Sequence, residues 1–461
     1  MRKTLPLLAM LAAAVATLAI GGSAAFAGGG QVKLNVLLKA DASASVLAKL
    51  GNYGKVREVL YQIDAVVMQA PTDSVPAIKA LPFVEAANPD AARTAAPVDT
   101  VSATDFANGL NTWDLDAVNV TNFGLGRTIG LDGTGVYVAV LDTGLLGTWR
   151  QYFPQERIAT ELARSFGGFG GDNVSEQPNK WEQDTNSHGT HVTSTVLGYS
   201  FVGVPFNGVA PKAKVIPVKV LGQSGFGTGS TIAAGIVYVT DLKVNGDLGS
   251  SPLVINMSLG GPEFDAVEQA AIDYAIAHGV IVVAAAGNEG EDGIGFPAAY
   301  QPVISVAASG WIGEWQPGPD NNPNNWWFAD NVPDPANPAD FYITDFSSRA
   351  LTGQDLDVAA PGSWVVGPYQ LQSGKISYFF VGGTSQATPH VTGIAALMKQ
   401  KNPGLTQTQA EGILESSAIP LAAGCRNVRP LPGAPPQPIC WGADATGAGL
   451  TTADAALSAT P

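Results

Sequence analysis

From about residue 110 onward, short apolar runs alternate with stretches of helical spacing. Residues 136–141, 214–221, 253–255, 280–286 and 303–308 are rich in Val, Ile, Leu and Ala. Runs of that length, bounded by glycine or polar residues, predict strands buried on both faces, as in a parallel sheet. Between them, 230–241 and 265–278 carry apolar residues at helical spacing. The alternation predicts an α/β fold, a three-layer, mostly parallel sheet with helices on both faces. No fixed period that would indicate a solenoid occurs.

A smaller α+β unit is predicted upstream, over residues 31–90. Residues 32–38 and 63–68 read as strands, and 43–50 and 75–81 as short helices. The order β-α-β-α-β predicts a split βαβ sandwich. Residues 91–107 are small and polar, which is the composition of an exposed linker open to cleavage. Residues 311–345 break the α/β rhythm with Pro, Asn and Trp, including the adjacent Trp326 and Trp327, and predict a long surface insertion.

The first residues read as an address. Met1-Arg2-Lys3 is basic, 5–20 is almost wholly apolar, and Ala25-Phe26-Ala27 offers a small-x-small cleavage pattern. This predicts a signal peptide over 1–27; the rival reading, a membrane anchor, fails where Gly21, Gly22 and Ser23 break the apolar run. No later segment offers the ~18 uninterrupted apolar residues of a span, so the expectation is a secreted protein, extracellular or periplasmic, with no membrane contact after the leader is removed.

Composition narrows the class. Charged residues are 14% and hydrophobic residues 46%, which excludes a disordered chain and permits a large core. Acidic residues outnumber basic ones 39 to 24, a net charge of −15, so no nucleic-acid partner is expected. Two cysteines, Cys425 and Cys440, are expected to pair as a disulfide in an oxidising compartment. Free thiols or half of a metal site are the rival readings, and neither cysteine has a CxxC partner or a nearby His.

The candidate chemistry lies in four blocks. Val138-Ala139-Val140-Leu141-Asp142 is an apolar run ending in a carboxylate, placed where a parallel strand meets the ligand crevice; a plain capping Asp would look the same. His188-Gly189-Thr190-His191 opens a helix of small residues. Read as a zinc pair, His188 and His191 lack both an HExxH glutamate and a third ligand, so no metal is assigned. Ala284-Ala285-Ala286-Gly287-Asn288 ends a buried run in an amide that can donate to an oxyanion or simply form a turn. Gly382-Gly383-Thr384-Ser385 precedes a helix whose apolar stripe includes Val391, Ile394 and Leu397. Ser385 can be an N-cap or a nucleophile whose product oxyanion meets helix-start N–H groups, and Pro389 is expected within the first turn.

In the order Asp, His, Asn, Ser, with Ser258-Leu259-Gly260-Gly261 and Ala359-Ala360-Pro361-Gly362 as further matches, residues 110–455 resemble the subtilisin-like serine peptidases, the subtilases. Residues 28–95 resemble that family's inhibitor-type propeptide with its linker, leaving 96–461 as the catalytic domain. The resemblance implies a secreted serine endopeptidase, made as a self-processing zymogen and acting on proteins and peptides. It implies Asp142, His188 and Ser385 as the triad and Asn288 as the oxyanion donor. His191 would support the site, and His278 and His390 would be structural. Ser258, Leu259 and Gly260 would bind an extended peptide as an added strand. Gly295 would floor a pocket for a large apolar P1 side chain, with Glu289 at its rim also admitting Lys, and Gly229 would leave a distant subsite open. Specificity would be broad. The propeptide would act as an intramolecular inhibitor, cut between about 91 and 107.

No cofactor is implied for the chemistry. Structural calcium stays open with its sites unassigned, because residues 198–207 lack the Asn that binds it in relatives. Many relatives carry Met directly after the nucleophile, where this chain has Gln386. Oxidation of a thioether there would place a polar oxygen beside the oxyanion site. Activity is therefore expected to outlast peroxide treatment that inactivates Met-bearing relatives. Rapid inactivation, with the modification mapped beside Ser385 by mass spectrometry, would contradict this.

Overall fold

The computed structural model describes residues 30–94, 99–102, 111–122, 126–168, 171–176, 180–201, 204–317, 322–329, 332–333, 336–370 and 375–461. The expected leader over 1–27 lies outside them. Nine strands form the central sheet. Its middle runs Lys214–Lys219, Tyr137–Asp142, Leu253–Met257, Ile281–Ala285 and Ile304–Trp311, with every neighbouring pair parallel. Val358–Pro361 pairs parallel with Ile304–Trp311, and Gly171–Glu176 and Phe341–Ile343 add antiparallel edges. Leu253–Met257 and Ile281–Ala285 are buried along their whole length, as strands covered by helices on both faces must be. The helices Gly229–Val244 and Ala266–Ala277 pack against each other, while Thr384–Lys401 runs through the interior and is buried over nearly its whole length.

The N-terminal unit is a four-stranded antiparallel sheet with the order Lys55–Leu60, Ala65–Pro71, Gln31–Leu38, Val84–Pro89. Its order along the chain is β-α-β-β-α-β, one strand more than the sequence predicts. Lys55, Arg57 and Glu58 hide the extra strand, which lies on an edge where charged side chains are tolerated and useful. The unit docks through apolar side chains, Leu60 and Ala65 joining the main core with Leu37 and Ile63 against it, and through polar groups. Asp90 accepts from Ser230 N at 2.9 Å and pairs with Lys33 at 2.7 Å, so it serves the orphan N–H groups at the start of Gly229–Val244. Asp265, the N-cap of Ala266–Ala277, accepts from Asn35 at 2.7 Å.

Two expectations change. Part of the stretch read as a linker forms strands: Ala92–Thr94 pairs antiparallel with Phe226–Thr228, and Asp99–Ser102 pairs with Tyr378–Gly382. Open sheet edges, rather than the strand's own composition, supply that pairing. The region read as a surface insertion is largely core. Trp311, Trp315, Trp326 and Trp327 are all buried. Trp315 meets Phe380 at 4.6 Å between ring centroids, Trp326 stacks on Phe380 at 5.9 Å, and Trp327 stacks on Phe206 at 5.3 Å. Pro and Asn gave the region a polar look, but its indoles carry the large apolar areas that decide burial.

Cys425 and Cys440 are disulfide-bonded across a hairpin formed by Gly424–Val428 and Gln437–Trp441. No helix among the described residues is long and apolar enough to cross a membrane. Trp326→Ala is expected to lower stability by about 3–5 kcal/mol, as for a core aromatic. A surface insertion would yield a change within about 0.5 kcal/mol, and denaturant unfolding separates the two.

Candidate active site

Asp142 is the last residue of Tyr137–Asp142, and His188 is the first of the helix His188–Leu197. His188 Nδ1 lies 2.9 Å from both Asp142 carboxylate oxygens, and both side chains are fully buried. Asp142 Oδ1 also accepts from Thr143 N at 2.6 Å. Gly189 permits this approach, because a Cβ there would come within 2.4 Å of Gly144 O. Ser187 holds the left-handed backbone at φ 80°, a conformation that costs a non-glycine residue on the order of 1 kcal/mol. Asp184 fixes that turn by accepting from Asn186 N at 2.8 Å, Ser187 N at 2.9 Å and Thr143 Oγ1 at 3.0 Å. Burial pushes the Asp184 carboxyl up, to about 6, against the pull of buried Lys219. Asp184 lies outside the four sequence blocks; its signal is an Asp that opens a turn four residues before His188.

Ser385 is the second residue of the helix Thr384–Lys401, which Gly383 caps at φ 156°. Glycine suits this backbone conformation, and a Cβ on Gly383 would also press on the end of the Gln386 side chain, 2.8 Å from its Oε1. Ser385 Oγ donates to Ser258 O at 3.1 Å. His188 Nε2 is buried and has no hydrogen-bond partner among the described residues. The structure thus joins Asp142 directly to His188 and ties Ser385 to Ser258.

Pro389 sits in the second turn of this helix, not the first. It has no N–H to give to the carbonyl of Ser385, four residues back. Ser258 Oγ donates to that carbonyl instead, at 2.8 Å. Ser258 therefore holds Ser385 by both its hydroxyl and its carbonyl.

Asn288 follows Ile281–Ala285, and its Oδ1 accepts from Thr384 N at 2.9 Å and Thr384 Oγ1 at 3.1 Å. The amide is thereby oriented with Nδ2 beside Gly383, 3.8 Å from where a Cβ on Gly383 would lie. Leu259 is buried, and Gly260 leaves its backbone half-exposed. Gly261 N donates to Phe296 O at 2.9 Å and Phe296 N to Gly261 O at 2.8 Å, which sets Gly295 against the same segment. A Cβ on Gly295 would lie 3.2 Å from Gly261 O.

The other histidines have settled partners. His191 Nε2 donates to Val365 O at 3.2 Å, and burial pushes its pKa down to about 3, so it is neutral near pH 7. His390 reaches Asp114 Oδ2 at 3.0 Å and Gln386 O at 2.9 Å. His278 is exposed and bonds Tyr274 O at 2.8 Å. Away from this site, the ligand oxygens of Asp357, Glu411 and Glu415 lie within 4.8 Å of one another, close enough to hold a metal ion. Asp357 Oδ1 is buried with no hydrogen-bond partner among the described residues, so the group has a free donor to offer.

The family model described as the subtilase family matches residues 133–452. M-protease of Shouchella clausii is 36% identical over 293 residues, covering 63% of this chain and 61% of that protein. Subtilisin Savinase of Lederbergia lenta is 36% identical over 295 residues, covering 64% of this chain and 87% of that protein. Among solved structures, fervidolysin from Fervidobacterium pennivorans, a keratinolytic enzyme related to subtilisin, superposes with a TM-score of 0.64 at 24% identity, covering 94% of this chain and 62% of that one.

The carboxylate group outside the site has a pH signature. Burial raises Asp357 to about 6 against its hydrogen bonds from Ser305, and burial, followed by the neighbouring carboxylates, raises Glu411 to about 7. Raised carboxyl pKa values favour the protonated folded state, so this group erodes stability as pH climbs from about 4 through 7. Glu411→Gln removes one such charge. In chelator, its melting temperature is expected to gain more on wild type at pH 8 than at pH 5. An equal difference at both pH values would contradict this.

Proposed function

The chain belongs to the subtilase family, and on that footing we propose that it is a secreted serine endopeptidase, made as a self-processing zymogen. One observation carries the reading: the fully buried His188–Asp142 pair, at 2.9 Å, sits at the same sheet edge as a serine at a helix start. Asp142 accepts the Nδ1 proton and so fixes the imidazole tautomer that leaves Nε2 free as a base. Ser385 Oγ turns from Ser258 O toward His188 Nε2 as a substrate carbonyl arrives, gives up its proton, and attacks. The tetrahedral oxyanion forms beside Asn288 Nδ2 and the Ser385 N–H. These dipoles are already oriented, Asn288 by its two bonds from Thr384, so no reorganisation is needed when the charge appears. His188 then delivers the proton to the leaving amine.

Ser258, Leu259 and Gly260 bind the peptide backbone, and Gly295 leaves room for a large apolar P1 side chain, with broad preference elsewhere. The N-terminal unit is the propeptide and the intramolecular inhibitor. Support comes from Ala92–Thr94 and Asp99–Ser102, which pair with strands on either side of residues 95–98, a stretch outside the described residues. We place the cut between about 91 and 107. The chemistry uses no cofactor. A structural calcium ion would be held by Asp357, Glu411 and Glu415, where it would neutralise their mutual repulsion.

Ser385→Ala is expected to abolish casein hydrolysis and leave the propeptide attached, seen as an unprocessed intact mass. Asn288→Ala is expected to lower kcat by about 10²–10³ with KM little changed, the loss known for the equivalent donor in a subtilisin. Processing and activity that persist in Ser385→Ala would refute the assignment.

A further inference from the structure

In the strand Ala92–Thr94 the side chain of Arg93 points into the protein. Ala92 is exposed and Arg93 is fully buried. Arg93 pairs in register with Gly227 on one side, and on the other the Ala92–Arg93 segment covers Gly261, where a Cβ would come within 2.5 Å of Ala92 O and 3.5 Å of Arg93 Nη1. The guanidinium meets Glu268, the third residue of Ala266–Ala277, through Nη2–Oε2 at 2.6 Å, with Nε 3.2 Å and 3.1 Å from the two carboxylate oxygens. Both side chains are completely buried. Nη1 returns to Ala92 O at 2.9 Å.

The two partners come from different parts of the chain. Arg93 belongs to the N-terminal unit, which leaves on maturation in the reading above, whereas Glu268 belongs to the body and stays. A buried carboxylate whose partner departs is strongly disfavoured. Burial already pushes Glu268 up, to about 7, against the pull of Arg93. Asp265, which stays with the body, adds negative charge nearby, so the vacated pocket attracts a cation. The fork geometry of the contact fits the guanidinium of Arg better than the point charge of Lys.

Position follows from the segment that would bind the peptide. Ser258, whose carbonyl holds Ser385 Oγ, lies opposite the residue whose bond is cut. Gly261 is three residues further along, so the peptide residue covering it lies three residues before the cut one, at P4. Resting on the peptidase reading, we propose that Glu268 is the specificity-determining residue of a cation-selective P4 subsite, and that the mature enzyme prefers substrates with Arg there. Arg93 is then the chain's own copy of the preferred residue.

The test uses mature enzyme and fluorogenic peptides with Phe at P1 and Arg, citrulline, Lys, Leu or Ala at P4. Citrulline keeps the shape of Arg without its charge. A bond to a buried charge predicts a kcat/KM for Arg about 10-fold or more above citrulline and Leu, with Lys between. Glu268→Gln is expected to bring the Arg peptide down to the citrulline level, and Glu268→Asp to keep part of the preference. Cleavage of the Ala peptide with no advantage of Arg over citrulline in wild type would overturn the inference alone. No cleavage of any peptide would overturn the peptidase reading and this inference together. The wild-type comparison decides the matter even if a Glu268 variant fails to mature.

Discussion

A carboxylate and an imidazole, both shut away from water at the carboxyl edge of a parallel sheet, impose the tightest constraint on this molecule. Buried Asp142 needs partners for its charge, and the structure supplies Thr143 N and His188 Nδ1. Each supporting feature nearby serves that approach. Gly189 lets the helix come close, Ser187 takes a rare backbone conformation, and Asp184 holds the turn that presents His188. Low local dielectric strengthens the pair and makes it intolerant of misplacement.

The serine side is built by a second set of exchanges. Pro389 deprives the helix of one N–H, and Ser258 fills the gap while its own carbonyl holds the Ser385 hydroxyl. A helix defect and the segment after Leu253–Met257 thus become parts of one assembly. The N-terminal unit uses the same logic on a larger scale. It supplies Asp90 to an N–H at one helix start and bonds the cap of the next, so directional, charge-assisted contacts add to the apolar packing of Leu60 and Ala65 against the body.

Much of the architecture is legible in the sequence because strongly periodic segments carry their own signal. The runs near 136–141, 253–255 and 280–286 become Tyr137–Asp142, Leu253–Met257 and Ile281–Ala285, with ends shifted by a residue or two. Segments whose structure depends on a distant partner stay hidden. Lys55–Leu60, Ala92–Thr94 and Asp99–Ser102 have no strand composition of their own; a neighbouring edge makes them strands. The Trp-rich stretch misleads for a related reason. Its Pro and Asn describe the path of the chain, while the fate of its indoles is set by Phe380 and Phe206, which lie elsewhere in the sequence.

By itself the sequence determined the fold class, the order of the four site blocks and the pairing of Cys425 with Cys440, since each is written in residue type and local spacing. Only the tertiary structure decided that Ser385 rests on Ser258, that Asp184 anchors the turn before His188, and that Arg93 is buried against Glu268. Those contacts join residues 127, 175 or a few positions apart, and their energies come from burial and geometry that exist only once the chain is folded.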